Sequence, residues 1–179
     1  MTVLKVELKP LKPQELPDFC QRLQQAFAKA VVESFGPLPE PIPNDRELQE
    51  AFASPGAVAY HIMHEGQKVG GVLLSIDTQT RHNSLDLFFV DTAKHSQGLG
   101  LAAWQAVEAA YPETLVWETI TPYFEQRNIH FYVNKCGFHI VEFFNEHHPE
   151  PDMPQMEVGG EIPGCDASFR FEKVMPVNK

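Results

Sequence analysis

The chain has 179 residues, 43% of them hydrophobic and 21% charged, which is one domain's worth of ordinary globular sequence with enough apolar mass for a core. A formal net charge of −10 repels nucleic acid and anionic membrane, and it repels any anionic ligand at long range, so a phosphate site here must be local. No apolar run approaches a bilayer span, the N-terminus lacks a basic stretch followed by an apolar segment, and Cys20, Cys136 and Cys165 have no metal-like spacing; the expectation is a cytoplasmic protein with reduced thiols.

The first predicted strand is Val3–Leu8, which alternates polar and apolar and is ended by Pro10 and Pro13. A helix over Leu16–Phe35 follows, with Leu16, Phe19, Leu23, Phe27 and Val31 near helical spacing and Pro17 in its first turn. The segment 36–43 holds four prolines and is irregular. Asn44 caps a second helix, with Glu47 at the capping-box position, and Ser54-Pro55-Gly56 closes it. Ala57–His64 and Lys68–Asp77 form a hairpin around Glu65-Gly66-Gln67. The polar turn Thr78–Asn83 leads into a strand, Leu85–Val90, that carries Asp86. Leu101–Tyr111 is a helix stopped by Pro112, Leu115–Ile120 a strand, Glu125–Asn134 a short helix and Phe138–Phe144 a strand. A long polar insertion, Asn145–Ala167, precedes the last strand, Ser168–Met175. The order is that of a single α/β domain over residues 1–179, with a mixed sheet between helices.

Two stretches carry the chemistry. In the first, the Leu85–Val90 strand runs through His95-Ser96-Gln97-Gly98-Leu99-Gly100-Leu101 into a helix. The first N–H groups of a helix have no partner inside it and carry partial positive charge, and two glycines let an anion approach the backbone. This is neither the dinucleotide fingerprint, whose third glycine would stand where Ala103 is, nor the triphosphate loop, which needs Gly-Lys-Ser/Thr. The second stretch is Asn128-Ile129-His130-Phe131-Tyr132-Val133-Asn134-Lys135-Cys136-Gly137-Phe138, after a further strand.

Together the two resemble the motifs of the GCN5-related N-acetyltransferase (GNAT) superfamily, whose loop reads Gln/Arg-x-x-Gly-x-Gly/Ala after a strand ending Val-x-Pro, and whose later motif ends Tyr-x-Lys-x-Gly-Phe. Val90, Gly98, Gly100, Asn128, Lys135, Gly137 and Phe138 match, while His95, Thr92 and Val133 depart from it. The resemblance covers residues 57–142 well and the ends by element order. It implies a mostly antiparallel mixed sheet of about seven strands, with helices on both faces, splayed between the fourth and fifth strands. It also implies acetyl-coenzyme A (acetyl-CoA) as acyl donor, lodged in that gap, with no metal. Phe88, Phe89 and Val90 would pair with the pantetheine arm, the N–H groups of His95–Leu101 would hold the pyrophosphate, and Asn128 and Lys135 would lie along the arm and the nucleotide. Lys94 and His95 would add local cations, and binding through His95 would strengthen on its protonation.

The implied reaction is direct attack of a primary amine, on a small molecule or a protein, on the thioester. It needs a base for the amine proton and an acid for the leaving thiolate. Asp86 and Glu118, on the two strands beside the gap, are the candidate bases. The family's acid is a tyrosine where this chain has Val133, so either Tyr132 serves on a shifted helix or the thiolate is protonated by water or another group. Cys136 as a nucleophile is the runner-up mechanism. The rival functions are a non-catalytic acyl-CoA binding or sensing module and an interaction domain with a decayed site. The 36–43 connection often borders the acceptor site in this family. The insertion, with Glu146, Glu150, Asp152, Glu157, Glu161 and Asp166, would present an acidic lip to a cationic amine. The family often pairs through its late strands, which makes a homodimer compatible with the resemblance.

Overall fold

The computed structural model describes residues 4–41, 43–91, 98–151 and 167–177. Its elements in order are β1 (Val6–Pro10), α1 (Leu16–Phe35), α2 (Asp45–Ala53), β2 (Ala57–His64), β3 (Gln67–Ser75), β4 (His82–Val90), α3 (Leu99–Ala110), β5 (Val116–Pro122), α4 (Gln126–His130), β6 (His139–Phe144) and β7 (Ser168–Val174). The seven strands form one sheet in the order β1-β2-β3-β4-β5-β7-β6. Every pairing is antiparallel except β4 with β5. No helix among the described residues is long and apolar enough to cross a membrane.

Helices cover both faces because each offers one apolar stripe. From α1, Phe19 and Leu23 bury against Leu48 of α2 and Phe89 of β4. Gly71 of β3 makes room for this, since a Cβ there would fall 2.2 Å from the Phe19 ring. On the other face Trp104 and Val107 of α3 pack with Trp117, Phe138 and Phe171. The expected capping box of α2 is formed: the Glu47 N–H donates to Asn44 Oδ1 at 2.9 Å and the Asn44 N–H to Glu47 Oε2 at 2.8 Å, each such cap being worth about 1 kcal/mol.

Several boundaries differ from the sequence expectation, each for a local reason. β1 runs on to Pro10, opposite Tyr60, because an edge strand tolerates a residue without an N–H. β4 starts at His82, because buried Asn83 is satisfied inside the fold: its Oδ1 accepts from the Asp77 N–H and its Nδ2 donates to Thr114 Oγ1. α3 starts at Leu99, with Gly98 supplying the left-handed N-cap at φ 76°. The expected helix Glu125–Asn134 is two pieces, α4 and a π-helical turn over Phe131–Cys136 that closes on left-handed Gly137.

Two irregularities position the site. The β4–β5 ladder holds only from His82–Val116 to Leu85–Thr119, after which the strands part. At the same place β4 bulges: Leu73 faces Leu87 and Leu74 faces Leu85, which leaves Asp86 as the extra residue. A bulge bends its strand and shifts its side-chain alternation. Accordingly Leu85 joins the Trp104 cluster, whereas Leu87 joins the Phe19 cluster on the opposite face.

Candidate active site

The fork between β4 and β5 opens into a cavity of about 170 Å³. Its walls come from Leu85–Phe88 of β4, Thr119–Pro122 of β5, Phe27 and Val31 of α1, Pro43, and Phe124, Glu125, Asn128 and Tyr132. Thr119 marks the crotch, where its hydroxyl donates to the Leu85 carbonyl at 2.9 Å. Beyond it Phe88 and Phe89 continue β4 with no partner on β5. Main-chain groups that a ladder would have consumed thus face a slot. A larger hollow of about 400 Å³ lies at the opposite end of β4, and the Asp77 carboxylate that lines it is taken up by the N–H groups of Gln79 and Thr80.

The N-terminus of α3 follows β4. Among the described residues, the first helical N–H to find a main-chain acceptor is that of Ala102, on Gly98, at 3.2 Å. Gly100 sits under Phe131, where a Cβ would come within 3.3 Å of the ring. Phe131 in turn stacks on Phe88, with ring centroids 5.8 Å apart. The approach to the loop is pinned at Asp91, whose carboxylate accepts two hydrogen bonds from Arg22 of α1, at 3.0 and 3.1 Å. Lys94, His95, Ser96 and Gln97 lie outside the described residues.

The predicted catalytic residues part company. Asp86, in the bulge, lines the cavity and accepts hydrogen bonds from Ser75, and from Ser84 at 2.8 Å. The protein crowded around it raises its pKa, against the two serine bonds. Glu118 belongs to the other side of the fork's start. It lies on the sheet face opposite Trp117, with Arg170 Nη1 at 3.5 Å, and is not among the residues lining the cavity. Arg170 also binds Glu142 and Glu172.

Tyr132 lines the slot at 5% exposure, and burial raises its pKa. The π-turn explains how. An i→i+5 turn holds one more residue than an α turn and so rotates the next side chain by about 100°. The tyrosine one place early thereby reaches the slot, while Val133 packs against the Trp104 cluster. Asn128 also lines the slot, and Lys135 is exposed on the outside of the π-turn. Cys136 is buried and its thiol is pushed up to about 12, mainly by desolvation, which disfavours the thiolate that a nucleophilic role would need.

One site residue escaped the sequence reading. Glu125 is 6% exposed, lines the slot, and has no side-chain hydrogen bond among the described residues. As N-cap of α4 it could have turned back onto the helix, but it makes no such bond. Desolvation raises its pKa to about 7, with Arg127 opposing. The signal was available: a carboxylate just after Pro122-Tyr123-Phe124, at the carboxyl end of a strand bordering the gap, where open α/β sheets gather ligands. No group of three His, Cys, Asp or Glu is placed to hold a metal among the described residues.

A parting parallel pair and a glycine-capped helix after β4 match the arrangement that the motifs imply. The model of the acetyltransferase (GNAT) family matches residues 21–138. The chain belongs to the GNAT acetyltransferase family. A Bacillus subtilis (strain 168) relative, uncharacterized protein YrkN, is 56% identical over 174 residues, which is 96% of this chain and 94% of that protein. Among solved structures, the ribosomal-protein-S18-alanine N-acetyltransferase from Escherichia coli is similar with a TM-score of 0.68 at 13% identity, covering 98% of this chain and 97% of that one. A GNAT family acetyltransferase from Elizabethkingia anophelis with acetyl-CoA bound gives a TM-score of 0.66 at 13% identity, covering 95% and 98%. At such identities the structural likeness is one of fold, and it extends the GNAT fold over nearly the whole chain.

Proposed function

We propose that this protein is an N-acetyltransferase that moves the acetyl group of acetyl-CoA to a primary amine by direct attack, with Glu125 as general base and Tyr132 as general acid. The observation that carries the reading is Glu125 itself, a buried carboxylate with no side-chain hydrogen bond among the described residues, lining the fork of β4 and β5. With the ammonium proton already lost to solvent, a carboxylate with a pKa of about 7 is matched to taking, near neutral pH, the proton that the nitrogen sheds once its C–N bond forms.

The pantetheine arm lies in the fork against Phe88, Phe89 and Val90. The pyrophosphate rests on the N–H groups of the His95–Leu101 segment at the start of α3, with Asn128 along the arm and Lys135 toward the nucleotide. The local donors overcome the repulsion set by the net charge of −10. The neutral amine then attacks the thioester carbonyl carbon. A C–N bond forms, the amine proton passes to Glu125, and the C–S bond breaks. The thiolate takes the hydroxyl proton of Tyr132, whose raised pKa keeps it protonated beforehand.

Free thiol released from acetyl-CoA in the presence of an amine panel tests the reading, with Glu125→Gln beside the wild type. The expected result is transfer by the wild type and a loss of roughly 10²–10⁴-fold in kcat for the variant, which still binds CoA. Tight CoA binding by the wild type with no transfer to any amine would select the acyl-CoA sensing module instead.

A further inference from the structure

We infer that the acceptor is an amine with a second cationic nitrogen, an aliphatic diamine or polyamine, whose second ammonium group is held by Asp86 in the β4 bulge while the first reacts at Glu125. This rests on the acetyltransferase reading and narrows its substrate class. The slot holds two carboxylates, Asp86 and Glu125, and among the described residues no Lys, Arg or His lines it. The carboxylates are built differently. Glu125 is nine-tenths buried and has no side-chain hydrogen bond among the described residues, as suits a proton acceptor. Asp86 is fixed by two serine hydroxyls, one on each oxygen, and stands at the open mouth. Serines at those positions orient a charge without neutralising it, and the bulge turns that charge out of the β-ladder.

Between the carboxylates the wall is apolar, with Leu87, Phe124, Ile120 and Val31. Such a wall suits methylene groups. The sheet beyond Asp86 keeps the same sign. Glu118 lies opposite Ser84 and next to Glu172, and these two share the guanidinium of Arg170 with Glu142, which His148 also contacts. A longer polyamine would thus run from the slot onto a face that remains negative.

The test compares acetylation of 1,4-diaminobutane and spermidine with that of n-butylamine by the wild type and by Asp86→Asn, with CoA binding followed separately by calorimetry. The wild type is expected to favour the diamine over the monoamine about tenfold or more in kcat/KM, chiefly through KM, as a charge-assisted hydrogen bond provides. In Asp86→Asn the diamine-to-monoamine ratio should fall about tenfold. Equal use of the two amines by the wild type, or an unchanged ratio in the variant, would overturn the diamine assignment while leaving the acetyltransferase reading intact. Bound CoA with no transfer to any amine would overturn both.

Discussion

Glu118 and Glu125 are close in sequence, yet their surroundings set them to different work. Glu118 is tied into the group around Arg170, on a sheet face that water reaches. Glu125 is largely shielded from water and has no side-chain hydrogen bond among the described residues, and desolvation pushes its pKa up to about 7. Two consequences follow for Glu125→Gln. The wild-type rate should gain a limb that rises with pH through about 7, as Glu125 loses its proton, and the variant should lack that limb; a limb of the same midpoint in the variant would exclude Glu125 as the base. Stability should move the other way. A carboxyl whose pKa rises from 4.5 to about 7 on folding binds more protons folded than unfolded between those values. The fold therefore loses stability as pH rises through that window, by about 3 kcal/mol at most. Glu125→Gln escapes the penalty, so its melting temperature at pH 8 should exceed that of the wild type, in keeping with strain stored at a functional group. A lower melting temperature would mean that Glu125 is a satisfied structural residue.

Among the elements, β4 and the α4 segment decide the site, and they divide what could be read from sequence. The capping box of α2 was legible because it depends on residues three apart. So was the hairpin of β2 and β3, which a glycine turn announces. The fork was expected through the family motifs. The bulge was not legible, because Leu85, Leu87 and Phe89 form a regular alternation on paper. Only tertiary packing shows that Leu85 and Leu87 face opposite layers. The π-turn was hidden for a similar reason: its extra residue is accommodated by packing of Phe131, Tyr132 and Phe138, not by any helix-breaking residue. Glu125 was legible as a helix start, and its burial came only with the walls of the slot. If the π-turn aims Tyr132 at the thioester, Tyr132→Phe should lower kcat about tenfold or more with CoA affinity kept. The double variant Tyr132→Phe, Val133→Tyr should not recover activity, because position 133 packs into the core. Recovery would show an α-helical register in solution.

At the scale of the molecule, a chain of net charge −10 has, on the proposed function, to admit one strongly anionic and one cationic reactant. Long-range forces oppose the first and favour the second, and salt screens both over about 10 Å at 0.1 M. Raising ionic strength should therefore raise KM for a diamine acceptor and lower or leave unchanged the Kd for CoA. A Kd that climbs steeply with salt would point to a strongly cationic CoA site, in place of one built mainly from main-chain donors. Helices pack on both faces of the sheet, and the first amides of α3 are placed by where that helix begins, at Leu99. The central claim is that one stretch of backbone, from the end of β4 to the first turn of α3, receives the cofactor. Amide hydrogen exchange with and without CoA measures this residue by residue. The account predicts that CoA slows exchange at Phe88–Val90 and Gly98–Leu101, with the β1–β2 ladder unaffected. Protection confined to other segments, with those amides exchanging as before, would contradict it.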